Sequence, residues 1–92
     1  MDKFILKLSP TATRDLDRLE DEVVRTVLDA LPVLKENPFP RGKLIKKIKG
    51  KRSTFYWLCV DKYQVFYSIE GPNGVILKVI GKKNAGKFIK NL

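Results

Sequence analysis

The segment Asn37-Pro-Phe-Pro40 divides the chain into two halves with different hydrophobic periods. Two prolines this close together remove two backbone donors and fix two φ angles, so neither a helix nor a central strand runs through them. Before this point Ala12, Leu16 and Leu19 recur at helical spacing, followed by Val23, Val24, Val27, Leu28, Leu31 and Leu34. After it, three segments rich in aromatic and β-branched residues read as strands: Ser53 to Val60, Tyr63 to Glu70 and Val75 to Ile80. Leu44, Ile45 and Ile48 suggest one more. The helical half is itself preceded by Phe4, Leu6 and Leu8 at period two, a short strand.

Local punctuation sharpens this order. Ser9-Pro10 supplies an N-cap and a proline at the first helical position, where its missing N–H costs nothing. Glu20-Asp21-Glu22 is a polar joint that leaves acidic groups in the first turn of the second helix, matching its dipole. Pro32 should kink that helix or end it early. Asp61-Lys62 and Gly71-Pro-Asn-Gly74 are turns, and Gly81 breaks the last strand before a short tail or helix from Lys82 to Leu92. The expected architecture is α+β: an N-terminal strand, an antiparallel helical hairpin, then a sheet of three or four antiparallel strands with both helices on one face. Ninety-two residues suit a single domain, 1–92.

Charge divides at the same place as periodicity. Residues 1–36 carry six basic and eight acidic side chains, a net of −2, whereas residues 37–92 carry thirteen basic and two acidic, a net of +11. The run Arg41-Gly-Lys-Leu-Ile-Lys-Lys-Ile-Lys-Gly-Lys-Arg52 holds seven positive charges and no negative one. Such self-repulsion does nothing for the stability of a small domain, so a polyanionic partner, nucleic acid first, explains its retention. The bland alternative is a lysine-rich solvated surface. Candidate phosphate contacts are Lys46, Lys47, Lys49, Lys51, Arg52, Lys62 and Lys82.

Several chemistries are excluded. The chain has no histidine and one cysteine, Cys59, so histidine-based hydrolysis, an internal disulfide and cysteine-ligated zinc are ruled out, and no cofactor is expected. No apolar run approaches the ~20 residues that span a bilayer, and the N-terminus lacks a leader's apolar stretch, so the chain reads as cytoplasmic with no membrane partner. Cys59 reads as a small apolar filler rather than a nucleophile, since no imidazole is available as a base.

Strand alternation sorts the aromatic residues. If Leu58 and Val60 face the helices, then Phe55, Trp57 and Cys59 point the other way. On the next strand Val65 and Tyr67 face the core and Gln64, Phe66 and Ser68 point outward. The outer face is then aromatic in its middle with Lys and Arg around its rim, an arrangement suited to stacking bases. Cover by the tail, a second subunit or a partner peptide would account for it equally.

Read in order, these segments resemble the RelE/ParE superfamily, the toxin halves of type II toxin–antitoxin pairs. Ser9-Pro-Thr-Ala-Thr-Arg-Asp-Leu-Asp-Arg-Leu19 is similar to the family's opening helix, and Leu34-Lys-Glu-Asn-Pro38 to the end of its second. Lys46-Lys-Ile-Lys-Gly50 resembles its "lysine-leucine-lysine-glycine" strand. Tyr56-Trp-Leu-Cys-Val-Asp-Lys-Tyr-Gln-Val-Phe-Tyr67 looks like its "Tyr-Arg-Leu-Arg-Val-Gly-Asp-Tyr-Arg-Val-Ile-Tyr" hairpin, and Ile80-Gly-Lys-Lys83 stands where it has glycine, histidine or lysine, then arginine.

The resemblance implies the fold already read, a cognate antitoxin, and either ribosome-dependent cleavage of messenger RNA or, in a ParE-type member, inhibition of DNA gyrase by protein contact. In the RelE branch basic side chains help activate the RNA 2′-hydroxyl, steady the phosphorane and assist the leaving oxygen. Because the substrate supplies the nucleophile, such a site works without histidine. This chain departs from that pattern at specific places. Trp57 and Cys59 replace basic residues, Gln64 replaces an arginine, and Phe88 falls at an aromatic position without bringing a hydroxyl. Lys83 alone keeps a charge in place, as a point charge rather than a two-pronged guanidinium. The expected outcome is a weakened or altered endoribonuclease, or a member that binds RNA, ribosome or antitoxin without cutting.

Overall fold

A computed structural model describes residues 4–40, 42, 44–50 and 53–90. The elements run β1 (Ile5–Leu8), α1 (Pro10–Asp17), α2 (Asp21–Ala30), α3 (Pro32–Glu36), β2 (Ile45–Lys49), β3 (Thr54–Val60), β4 (Tyr63–Glu70), β5 (Asn73–Gly81) and α4 (Lys82–Lys90). The strands form one sheet in the order β1-β5-β4-β3-β2. Neighbours are antiparallel except β1 and β5, which pair in parallel from Ile5 opposite Asn73 to Leu8 opposite Ile76.

The α+β reading holds, and β2 to β5 form the expected four antiparallel strands. The one addition is β1, which joins in parallel beside the last strand in the chain and makes the sheet five-stranded and mixed. Pro32 does end the second helix: α2 stops at Ala30, and Pro32 restarts the chain as the first residue of α3. Of the tight turns, Asp61 takes a left-handed φ of 52° and Gly71 one of 60°, the latter a conformation that glycine adopts without a Cβ penalty. Asn73 and Gly74, read from sequence as turn residues, already belong to β5.

Alternation along the strands builds the main core. Ile45, Leu58, Val60, Val65, Tyr67, Ile76 and Val79 project from one face of the sheet against Ala12, Leu16, Val27, Leu31 and Leu34 of the helices. Tyr67, fully buried, satisfies its hydroxyl on the Pro38 carbonyl and stacks on Tyr56 with ring centroids 5.6 Å apart. The Asn37–Pro40 breaker is thereby tied to the middle of the sheet.

Where β1 ends, α1 takes over the exposed edge of β5. The Ser9 N–H donates to the Ile76 carbonyl at 2.9 Å. The Ser9 hydroxyl donates to the Leu77 carbonyl and accepts from the Ala12 N–H, both at 3.1 Å. One turn later the Asp15 carboxylate accepts the Val79 N–H and the Lys78 ammonium, each at 3.0 Å. Leu77 is the extra residue of a bulge opposite Phe66 and Tyr67, and these side-chain caps cover the edge on either side of it.

Asp15→Ala leaves the Val79 N–H, in a partly buried setting, without its acceptor. The expected loss is about 1–3 kcal/mol of unfolding free energy, read as a lower urea midpoint with unchanged slope. Asp17→Ala, at an exposed position of the same helix, should stay within ~0.5 kcal/mol of wild type.

Candidate functional site

The sheet face opposite the main core carries the residues that the sequence singled out. Across it, Lys46, Trp57, Phe66 and Lys78 align in register, as do Cys59, Gln64 and Ile80 on one side and Ile48 and Phe55 on the other. The hydrophobic residues of α4 fall at Ala85, Phe88 and Ile89, one stripe of a helix. They lay α4 across β5 and β4. Phe88 packs on Phe66 with ring centroids 4.7 Å apart, and Phe66 is 0% exposed.

Of the two readings of this face, cover by the tail holds at Phe66: it points away from the main core, as expected, but lies under α4 as the centre of a second, smaller apolar cluster. Phe88 anchors that helix. Trp57, Cys59 and Phe55, one strand further out, remain partly exposed, and the edge of the aromatic cluster continues into Trp57, 5.8 Å from Phe66 at an interplanar angle of 70°.

Alternation also splits the basic run. Lys46 lies on the Trp57 face, whereas Lys47 and Lys49 pair with Tyr56 and Thr54 and project to the other side of edge strand β2. Lys51 and Arg52 lie outside the described residues. A stretch that reads as one patch therefore supplies charge to two surfaces.

Lys83 belongs to a third group. The turn between β3 and β4 meets the start of α4 through the Lys62 carbonyl, which accepts the Lys82 N–H at 2.9 Å. Lys62, Lys82 and Lys83 thereby line one open groove with Leu19, Asp61, Tyr63, Gly81 and Asn84. Because Ala85, Phe88 and Ile89 turn toward the sheet, Lys83, Lys87 and Lys90 fall on the opposite side of the helix, all exposed.

The positions carried over from the resemblance are therefore not one constellation. Trp57, Cys59 and Gln64 sit together on the sheet, Phe88 is packed on Phe66, and Lys83 stands at the strand ends with Lys62 and Lys82. Gln64 is the most constrained of them. Its side-chain oxygen is buried and has no hydrogen-bond partner, a cost of about 1–3 kcal/mol for a buried polar atom. No cluster of three or more metal-ligating side chains occurs among the described residues, and no described helix is long and apolar enough to cross a membrane.

Sequence reasoning missed the Asp15–Lys78 pair, 63 residues apart, for which no local signal exists. The α4 lysine row was legible in the spacing 83, 87, 90.

No protein-family model matches the chain, and no curated protein matches it in sequence. Solved structures do. A chain of the archaeal RelE–RelB complex from Pyrococcus horikoshii OT3 superposes with a TM-score of 0.71 at 24% identity, covering 86% of this chain and 94% of that one. A chain of the RelBE2 toxin–antitoxin complex from Mycobacterium tuberculosis gives 0.74 at 22% identity, covering 87% and 99%. The YoeB dimer from Staphylococcus aureus gives 0.68 at 16% identity, covering 84% and 94%. The chain has the RelE/ParE toxin fold.

The split of the basic run can be tested with single-stranded RNA as a probe. Lys46→Gln should flatten the negative slope of log affinity against log salt by ~0.7, one phosphate contact on a single strand. The double substitution Lys47→Gln, Lys49→Gln should change it by less than Lys46→Gln alone. Filter binding of single-stranded RNA across a salt series reads both.

Proposed function

We propose that this chain is the toxin half of a toxin–antitoxin pair, acting on messenger RNA at the ribosome in the cytoplasm, with RNA binding retained and cleavage weakened or altered. The observation that carries the reading is a RelE/ParE fold whose strand-end groove gathers Lys62, Lys82 and Lys83. Three ammonium groups lining a groove against a single carboxylate, Asp61, attract a phosphodiester, and any transition-state charge formed there would be stabilised most by the nearest of them. The family resemblance assigns that charge to Lys83, in the first turn of α4, with Lys62 and Lys82 holding the strand beside it.

Weakened cleavage follows from what surrounds this groove. RNA cleavage by its own 2′-hydroxyl needs a proton acceptor, a donor to the leaving oxygen and charge neutralisation at the phosphorane. Trp57 and Cys59 bring no charge to the outer face, Phe88 brings no hydroxyl, and the buried oxygen of Gln64 is shielded from a substrate. These residues favour, as a second reading, a member that occupies RNA or ribosome without cutting.

An antitoxin partner is supported by the complexes in which the structural neighbours occur. On this chain the surface suited to an amphipathic segment is the groove lined by Leu6, Leu8, Leu28, Leu31, Pro32 and Ile76. Leu8 and Leu28 there are 45% and 44% exposed, high for leucine beside a packed core.

Two experiments test the reading. In primer extension on ribosome-bound message, Lys83→Ala should slow cleavage at least ~10-fold, equivalent to about 1.4 kcal/mol of transition-state stabilisation, and Lys83→Arg should preserve or raise it. Cys59→Lys, which adds charge on the partly exposed outer face while sparing the Trp57 ring and the buried Gln64, should cut faster than wild type. Wild-type cleavage that is indifferent to Lys83→Ala would remove Lys83 from the site, and no cleavage by wild type or Cys59→Lys would leave the binding-only reading. Separately, Leu28→Lys should weaken binding to the product of the adjacent reading frame at least ~10-fold, or about 1.4 kcal/mol, by calorimetry. Unchanged affinity would place the antitoxin elsewhere.

A further inference from the structure

We propose that the outer face of β3 is a base-stacking platform for single-stranded RNA, with Phe55 and Trp57 as its rings and Lys46 as its phosphate contact. The proposal rests on the RNA-binding reading above and deepens it by naming where the bases sit.

Geometry comes first. Phe55 and Trp57 are alternate residues of one strand, so they share a face and stand about 6.6–6.8 Å apart along it. That is about twice the ~3.4 Å step between stacked bases of a duplex strand. It suits bases that have been unstacked and splayed, the form in which single-stranded RNA is usually gripped. Both rings are partly exposed, and α4 covers the neighbouring β4 and β5.

Both rings are also held in place before any ligand arrives. Trp57 is buttressed by Phe66, which α4 locks by its Phe88 contact. Phe55 lies against the bare backbone of Gly50: a Cβ there would come within 2.8 Å of the ring and 2.9 Å of the Ser53 carbonyl oxygen. Rings fixed in this way lose little conformational freedom when a base stacks on them.

Charge selects the ligand. Lys46 stands directly opposite Trp57 in the β2–β3 register and is exposed. Neither β2 nor β3 contains an acidic residue; Glu70 at the end of β4 lines the groove beside Phe55, where it accepts a hydrogen bond from the Ser68 hydroxyl at 3.1 Å, so the phosphate contact falls at the Trp57 end of the platform. A strand face with its rings side by side accepts flat bases better than it accepts an amphipathic helix, which needs a groove. From Trp57 the strand runs on past Cys59 to the Asp61 turn, four residues or ~13 Å, where Lys62, Lys82 and Lys83 would receive the continuing backbone.

Trp57 is the sole tryptophan, so its fluorescence reports on the platform directly. The test titrates wild type with an oligoadenylate of about eight nucleotides, within the ~4–16 that small single-strand-binding domains cover, and with an abasic phosphodiester of equal length. Oligoadenylate should quench Trp57 and bind at least ~10-fold more tightly than the abasic chain, a difference of about 1.4 kcal/mol. Trp57→Leu should abolish that preference, and Trp57→Phe, read by competition, should keep most of it. Should the Leu variant fail to fold by circular dichroism, the wild-type comparison of the two oligomers decides alone. Equal affinity for both without quenching overturns the platform while leaving phosphate-driven RNA binding intact. Failure to bind either oligomer at low salt overturns both. Quenching by polyglutamate as strong as by oligoadenylate assigns the face to an acidic peptide and overturns the proposal.

Discussion

A strand pair that is apolar on both faces needs cover on both, and this chain has enough helix to give full cover to only one. Leu58, Val60, Val65 and Tyr67 on one side are matched by α1, α2 and α3. On the other side, among the described residues, only the nine of α4 are available. Its Phe88 contact with Phe66 is therefore the interaction on which the proposed RNA-binding surface depends. It closes the middle of the sheet and leaves the β3 face beyond it partly open. The partial cover is what makes an aromatic surface available to a ligand, and the same contact is what holds it still.

Electrostatics then decides what kind of ligand approaches. The acidic side chains lie mainly in the helical half, on α1, α2 and α3, while the sheet and α4 carry most of the lysines. The helical hairpin and α4 lie on opposite faces of the sheet, so most of the sequence asymmetry becomes a difference between two sides of the molecule, with Lys47 and Lys49 the exceptions on the other side of β2. A polyanion is drawn to the sheet side and its edges and is repelled by the helical hairpin. Position along the sheet refines this further, with aromatic contacts on β3 and ammonium groups where β3, β4 and β5 end.

Much of this was legible in the sequence because it is local. Period-two spacing assigned Leu58, Val60, Val65 and Tyr67 to the core, Ser9-Pro10 marked the start of α1, and Pro32 marked the end of α2. What the sequence could not reveal depends on contacts between distant segments. The parallel pairing of β1 with β5 and the capping of the β5 edge by Asp15 join residues more than sixty positions apart. The placement of α4 decided between the two readings of the outer face, burying Phe66 and leaving Trp57 partly exposed. The candidate site suffered most from this. Lys83, Trp57 and Phe88 occupy positions that a linear comparison treats as one set, and the fold assigns them to a groove, an open strand face and a buried contact.

The central claim is that nucleic acid meets this domain on the sheet side, along the outer face of β3 and at the adjoining strand ends. Residue-resolved NMR of the labelled protein during titration with single-stranded RNA tests it most directly. The account predicts the largest shifts at the Trp57 indole N–H and at the backbone amides of Lys46, Cys59, Lys62, Lys82 and Lys83, with Asp17, Asp21 and Asp29 unmoved. Shifts concentrated on α1 and α2, with the Trp57 indole unchanged, would contradict it.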